Sequence, residues 1–278
     1  MDILIAKLPV ADWINDFVKW LSGFTGFFNG VTNFIGAIAN MFQWVFDLIP
    51  IWLFFVLILG LTFYVKRNDK KWGLLIFELL GLLFIWNMGY WRDMTQTLTL
   101  VLTSCLIVYV IGIPLGIWMA KTQWVNMVMQ PVLDFMQTMP AFVYLIPAVA
   151  FFGIGTVPGV IASVIFAMPP TVRMTNLGIR QVPVDLIEAA DSYGSTSWQK
   201  LFKVQLPLAQ STMMAGINQS LMLALSMVVI ASMIGTLGLG TQVYFAVGRN
   251  DAGAGFTAGL SIVILAIILD RITQSLKK

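Results

Sequence analysis

The sequence contains no histidine and only one cysteine, Cys105, among its 278 residues. Without histidine, the chain has few side chains for a metal site or for acid–base catalysis near neutral pH. A single cysteine allows no disulfide within the chain. The sequence also lacks the phosphate-binding pattern G-x-x-x-x-G-K-[ST], the zinc motif H-E-x-x-H and any carboxylate cluster. We therefore predict a chain that is not an enzyme, holds no metal or cofactor, and binds no ATP itself.

Charged residues are also scarce, at 10% of the chain against 59% hydrophobic residues. Apolar stretches of about 20 residues favour an all-α, multi-pass membrane protein over a soluble α/β domain. Lipid is then the expected surrounding, and nucleic acid is not an expected partner. Seven stretches suit membrane helices: 48–65, 73–89, 98–120, 131–152, 158–172, 212–234 and 256–269.

The basic residues are distributed unequally between the two sets of alternating linkers. One set holds twelve of the sixteen lysines and arginines, and the other holds four. Because cytoplasmic loops carry the excess of basic residues, the first set is predicted to be cytoplasmic. This orientation puts the N-terminus outside, and the C-terminus and the polar stretch 183–207 inside.

Residues 12–47 carry a separate pattern, in which polar or small residues recur every seven positions and aromatic residues fill the rest. Asp12, Lys19, Gly26, Asn33 and Asn40 belong to this polar stripe. The pattern predicts one amphipathic helix lying in the outer membrane interface. The alternative is an eighth span that packs its polar face inward, which leaves open whether residues 31–47 cross the membrane.

Several polar residues interrupt the predicted spans. Glu78 is a candidate proton site because an ionised carboxylate is costly in a membrane, and the alternative is a hydrogen-bonded carboxyl that faces a neighbouring helix. Gln137 in the fourth span, and Asn218 and Gln219 on one face of the sixth, could line a polar path or form interhelical hydrogen bonds. Prolines are expected to interrupt the third, fourth and fifth spans.

The stretch 183–207 reads as a helix, a turn and a second helix. Pro183 is expected in the first turn, and Gly194 ends the first helix. Ser195 or Ser197 is expected to cap the second helix, and Pro207 to end it. Trp198, Leu201 and Phe202 form its apolar side. This surface either packs beneath the membrane helices or docks into a groove on a partner.

The same stretch matches the pattern E-A-A-x3-G-x9-I-x-L-P, with valine in place of isoleucine. The matching positions are Glu188, Ala189, Ala190, Gly194, Val204, Leu206 and Pro207. This pattern resembles the EAA loop of ATP-binding-cassette importer permeases. The resemblance implies a coupling helix that sits in a cleft of a cytoplasmic ATPase subunit, where ATP and magnesium are bound.

A more specific resemblance covers about residues 97–275. The stretches MQTMPAFVYLIP and NQSLMLALSMVVIASMIG resemble the permease subunit of glycine betaine and proline betaine importers of the OpuA and ProU type. It implies a type I importer permease in a prokaryotic cell membrane, with two permease copies, two ATPase subunits that carry regulatory domains, and an external substrate-binding protein. The alternative is an ion-coupled secondary carrier, with Glu78 as its proton site.

We accordingly expect three regions: an amphipathic segment at 1–47, peripheral scaffold helices at 48–95, and the permease core at 96–278. For a betaine substrate, Phe142 and Tyr144 are candidates for contact with the solute, since aromatic faces bind quaternary ammonium groups. An exposed ring beside the fourth span would assist passage of such a solute. Lipid-facing packing is the alternative for both rings.

Overall fold

A computed structural model describes residues 9–65 and 71–275, and in these ranges every regular element is helical. The basic residues at 66–70 and 276–278, which contributed to the predicted orientation, lie outside the described residues. The first four helices are α1 (Val10–Ser22), α2 (Thr25–Leu48), α3 (Ile51–Val65) and α4 (Lys71–Asn87). The others are α5 (Trp91–Lys121), α6 (Gln123–Thr138), α7 (Leu145–Phe152), α8 (Thr156–Arg180), α9 (Val184–Ser192), α10 (Ser197–Lys200), α11 (Leu206–Ser232), α12 (Leu239–Gly248) and α13 (Ala252–Ser275).

The core is a layer in which α8 packs between α5 and α11. Glycines allow this close packing: a Cβ on Gly116 of α5 would lie 2.6 Å from the Thr175 Cβ, and a Cβ on Gly216 of α11 would lie 2.6 Å from the Met174 Cβ. Small residues at helix contacts let backbones approach closely where hydrocarbon surrounds the protein. The α8 helix is therefore the most enclosed of the long apolar helices.

Among the residues that the structure describes, four helices are long and apolar enough to cross a membrane: α5, α8, the continuous helix 197–232 that contains α11, and α13. Two bent pairs raise the number to six, namely α2 with α3 at 103° and α6 with α7 at 109°. The α4 helix is apolar but shorter. The chain therefore has a multi-pass architecture, while the orientation of its termini stays a prediction.

Proline has different effects in these helices. The expected interruption of the fourth span, 131–152, is confirmed, because Met139 is extended (φ −66°, ψ 134°) ahead of Pro140, and a 3-10 helix over Ala141–Tyr144 follows. Proline disfavours the helical conformation of the residue before it, which explains the break. By contrast, α5 continues through Pro114, and α8 continues through two adjacent prolines. The expectation that prolines interrupt the third and fifth spans is therefore wrong.

The N-terminal segment forms two helices rather than the single predicted one. α1 buries no residue, and the chain turns at Gly23 before α2 begins. α2 packs on α5, α7 and α8 with part of its polar stripe inward, since Gln43 accepts a hydrogen bond from Thr99 at 3.0 Å. Phe34 and Trp44 of α2 stay exposed. Asn33 and Asn40 of the same stripe are exposed, so only part of the polar face packs inward, and whether residues 31–47 cross the membrane stays open.

Glu78 lies fully buried on α4 and accepts a hydrogen bond from Thr62 of α3, with 2.8 Å between the oxygens. One turn further along α4, Gly81 packs against Ile264 of α13. These contacts fit the alternative of a hydrogen-bonded carboxyl that faces a neighbouring helix.

Candidate functional site: the loop at residues 183–207

The first half of the loop is α9 and the turn that ends it. Pro183 precedes the first helical residue instead of lying in the first turn, and Asp185 lies near the positive end of the helix dipole. Gly194 has a φ of +72°, and its N–H donates to the Asp191 carbonyl at 2.9 Å. A left-handed residue is the usual way to end a helix. The prediction that Gly194 ends α9 is confirmed.

The cap of the second helix is Thr196, so the expectation of Ser195 or Ser197 is wrong. The Gln199 N–H donates to the Thr196 Oγ1 at 3.3 Å, and the Gln199 side-chain oxygen accepts from the Thr196 N–H at 2.8 Å. This reciprocal pair is a capping box, whose T-x-x-Q pattern is readable in the sequence. Ser197 is instead the first residue inside the helix.

Pro207 does not end the second helix. α10 continues through a π-helical turn over Leu201–Gln205 into α11, so residues 197–232 form one continuous helix. Proline lacks an N–H and clashes with the carbonyl four residues earlier in a regular α-helix, whereas a π-turn is wider. The second half of the loop is thus a direct extension of the long apolar helix α11.

The exposed tip of the loop is aromatic. The Trp198 and Phe202 rings are stacked, with 5.6 Å between their centroids and an angle of 10° between their planes. The two residues are 70% and 57% exposed. Leu201 is only 2% exposed and packs against Ile179 and Ala209, so its predicted place on the exposed apolar side is wrong. Leu201 points toward the bundle because it lies about 100° around the helix from Phe202.

The EAA residues lie in α9, in the turn after it and in the second helix. Glu188, Ala189, Gly194 and Pro207 are exposed, while Ala190 and Leu206 are half-buried. Lys200 forms an ion pair with Asp191, with 2.5 Å between Nζ and the nearer carboxylate oxygen, which ties the second helix to the first. The loop is therefore a braced knob with an apolar tip, suited to docking rather than to chemistry. In the part of the chain that the structure describes, no three metal-ligating side chains come together.

The residues predicted for the translocation path fall into two places. Gln137 on α6 accepts a hydrogen bond from Arg173 of α8 at 2.6 Å, and Arg173 also contacts Asp134 at 2.5 Å. Sequence reasoning missed this pair, since 39 residues separate its members. Phe142 is exposed, but Tyr144 is 4% exposed and its hydroxyl donates to the Met136 carbonyl. The hypothesis of an exposed Tyr144 ring is therefore wrong.

Asn218 and Gln219 do not share a face. Asn218 donates to Asp270 at 2.6 Å and accepts from Thr273 at 2.8 Å, so it forms an interhelical contact between α11 and α13. Gln219 lies about 100° further around α11 and is exposed. The path role of Gln137, Phe142 and Gln219 stays a prediction.

Comparison with known proteins places this geometry in a family. Residues 112–278 match the family described as "Binding-protein-dependent transport system inner membrane component". The glycine betaine/carnitine transport permease protein GbuB of Listeria monocytogenes is 73% identical, over 99% of this chain and 97% of its own length. The glycine betaine transport system permease protein OpuAB of Bacillus subtilis is 58% identical, over 82% and 80% respectively.

A further relative and a solved structure also match this chain. The glycine betaine/proline betaine transport system permease protein ProW of Escherichia coli is 57% identical, over 73% of this chain and 57% of its own length. The fold matches a chain of the inward-facing MetNI methionine ABC transporter with a TM-score of 0.62 and 23% identity, over 68% of this chain and 96% of that chain. The protein belongs to the family of binding-protein-dependent transport system inner membrane components, with the type I ABC importer permease fold.

Proposed function

We propose that this chain is the membrane subunit of an ATP-driven importer of glycine betaine or a related compatible solute, which serves in osmoprotection. The proposal rests on the loop at residues 183–207, here called the EAA knob. This loop continues into α11 without a break. The relatives GbuB, OpuAB and ProW are glycine betaine transport permease proteins by name, which supports glycine betaine as the substrate class.

The assembly that this function needs contains two permease copies and two cytoplasmic ATPase subunits with regulatory domains. An external binding protein delivers the solute. ATP and magnesium are held by the ATPase subunits, and this chain supplies no catalytic residue. Family membership supports the ATPase and binding-protein partners, since the family is defined as binding-protein-dependent.

Coupling follows from the shape of the loop. The stacked Trp198 and Phe202 rings offer an apolar surface that suits a groove on the ATPase. Because the helix runs from Ser197 to Ser232 without a break, displacement of the knob is passed along α11. The ion pair between Lys200 and Asp191 makes α9 move with it.

The ion-coupled carrier is not supported. The family of this chain works with binding proteins, and its EAA knob has no use in a secondary carrier. Glu78 receives a hydrogen bond from Thr62 at the contact between α3 and α4. This hydrogen bond accounts for the buried carboxyl group of Glu78, so no role in proton transport is needed to explain it.

The test is uptake of labelled glycine betaine in cells whose proton gradient is collapsed while ATP is retained. We expect uptake to continue in the native complex and to be lost in the Trp198→Ala variant. Trp198→Phe is the matched control and should retain uptake, because it keeps a ring that can stack on Phe202. Uptake that stops with the gradient while ATP stays high would refute the proposal.

A further inference from the structure

One charged pair lies within two of the long apolar segments. Arg173 of α8 donates to Asp134 of α6 at 2.5 Å and to Gln137 of α6 at 2.6 Å. α8 has the length and hydropathy of a membrane span, and α6 has them together with α7. Charged side chains within such segments are rare, and they commonly mark the path of a solute or an ion. The Arg173–Asp134 pair is therefore a candidate for a functional site.

The pair lies beside the break between α6 and α7. Asp134 and Gln137 belong to the last five residues of α6, and the two helices are bent by 109° where α6 ends. The Tyr144 hydroxyl donates to the Met136 carbonyl, so the 3-10 helix after the break folds back onto the same part of α6. Broken helices within a membrane are tolerated where they are buried in protein or line an aqueous cavity. The charges and the helix break thus coincide at one place.

The pair is open to a small solute and keeps hydrogen-bonding capacity. The Arg173 and Asp134 side chains are 36% and 59% exposed. A guanidinium has five N–H groups, and the bonds to Asp134 and Gln137 engage only part of them. The planar guanidinium also matches the two oxygens of a carboxylate. A solute carboxylate can therefore bind Arg173 before the ion pair is lost.

We propose that the Arg173–Asp134 pair is a transient binding site for the zwitterionic solute on its way through the permease. Arg173 binds the carboxylate of a betaine, and Asp134 attracts its quaternary ammonium group. Such an ammonium has no N–H to donate, so it is held by a negative charge or by an aromatic face. Phe142, an exposed ring in the 3-10 helix after the break, supplies such a face. A cation beside an anion complements a solute that carries both charges.

Partial exposure to water suits a site of passage. Attraction between exposed charges is weak, and a site on a transport path must release the solute as readily as it binds it. Asp134 also competes with the solute carboxylate for Arg173, so the ion pair forms again when the solute leaves. The inference rests on the proposed function, which names a betaine as the solute, and it adds the residues that contact this solute.

A neighbouring contact between the same two helices provides a matched control. Asn176 of α8 donates to Asn126 of α6 at 2.8 Å, and neither amide carries a charge. Asn176→Ala therefore weakens the packing of α8 on α6 but leaves the Arg173–Asp134 pair in place. A role that is only structural would make this variant resemble a variant of Arg173.

The first experiment measures glycine betaine imported per ATP hydrolysed by the complete transporter in lipid vesicles, with saturating binding protein. Arg173→Gln should lower this ratio about tenfold or more, since a hydrogen bond to a charged group is lost, while ATP hydrolysis continues. Arg173→Lys keeps the charge and should retain part of the import. Asn176→Ala should keep the native ratio. A native ratio in Arg173→Gln would overturn the inference, and so would an equal loss in Arg173→Gln and Asn176→Ala.

A second measurement does not depend on how well Arg173→Gln folds. Gln137→Cys is placed in a Cys105→Ser background, which leaves one thiol in the permease. The thiol is labelled with a water-soluble methanethiosulfonate that carries a trimethylammonium group. Gln123→Cys, at an exposed position at the other end of α6, is the control.

We expect glycine betaine to slow the labelling of Gln137→Cys during turnover and to leave the labelling of Gln123→Cys unchanged. No labelling of Gln137→Cys would overturn the site, because water would then not reach it. Labelling that glycine betaine does not slow would overturn it as well.

The native complex separates this inference from the proposed function. If the native complex imports no glycine betaine, the proposed function fails. If it imports glycine betaine and Arg173→Gln does so with the same ratio, only the binding site at the pair fails.

Discussion

At the scale of single residues, the direction of the EAA knob depends on two backbone features. Gly194 turns the chain in the left-handed region, and Thr196 begins the next helix through a capping box. Both lie outside the membrane helices, so a change at either position alters how the knob is presented without touching the packed core.

Replacing Gly194 with valine should abolish uptake while the permease stays inserted. A Cβ at this position would meet no atom within 4 Å, so the cost comes from the positive φ and is about 1–3 kcal/mol for a β-branched residue. That strain turns Trp198 and Phe202 away from the ATPase. The measurement is ATPase copurification and betaine uptake at equal permease level.

Gly194→Asn is the matched control, because asparagine tolerates the left-handed conformation better than other non-glycine residues. It should keep more uptake than the valine variant. Thr196→Ala removes one capping bond at a cost of about 1 kcal/mol and should give a milder loss. Normal docking and uptake in Gly194→Val would mean that the loop is only a connector.

Alanine substitution of Trp198 and of Leu201 should cause different defects, although the two residues are only three positions apart. Trp198→Ala removes exposed surface, so permease levels should stay normal while ATPase copurification falls. Leu201→Ala opens a cavity beside Ile179 and Ala209, which should cost about 2–5 kcal/mol and lower the amount of folded permease. Immunoblots of membranes and of purified complexes measure both effects. Equal loss of folded permease in the two variants would contradict this division.

At the scale of helices, the packing of α11 on α8 depends on Gly216. Gly216→Ala would place a Cβ 2.6 Å from the Met174 Cβ and 2.8 Å from the Pro170 carbonyl oxygen. Overpacking of this kind costs about 1–3 kcal/mol, so thermal unfolding in detergent should shift to lower temperature. The α13 residue Gly259 provides the control, since a Cβ there would meet nothing within 4 Å. If Gly216→Ala unfolds at the same temperature as Gly259→Ala, this contact does not limit stability.

At the scale of the whole molecule, the purified chain should hydrolyse no ATP by itself. The sequence has no phosphate-binding loop, and the family's membrane subunits work with a separate ATPase. Phosphate release is measured before and after the ATPase subunit is added back. Hydrolysis that persists in permease freed of every partner would overturn the assignment.

The intact transporter should contain two copies of this chain. In the proposed importer each chain supplies one EAA knob, and each of the two ATPase subunits docks one knob. Native mass measurement of the purified complex gives the ratio directly, and two permeases to two ATPases is the expected value. A single permease with two ATPases would leave one ATPase without a docking knob.

Local patterns in the sequence were enough to predict the elements whose structure depends only on neighbouring residues. The apolar runs predicted α5, α8, α11 and α13, because a membrane helix satisfies its own backbone and needs only an apolar surface. The EAA spacing and Gly194 located the knob, since a helix end is decided within a few residues. The T-x-x-Q capping box was equally local, and the expected serine caps overlooked it.

Tertiary structure decided every feature that depends on residues distant in sequence. The sequence contains Arg173, but only packing of α8 on α6 brings it to Asp134. Leu201 and Phe202 look alike in sequence, yet the bundle buries one and exposes the other. Asn218 turns to Asp270 while its neighbour Gln219 stays open. Periodicity shows which residues share a helix face, whereas the identity of the neighbour on that face comes from the packing of all the helices together.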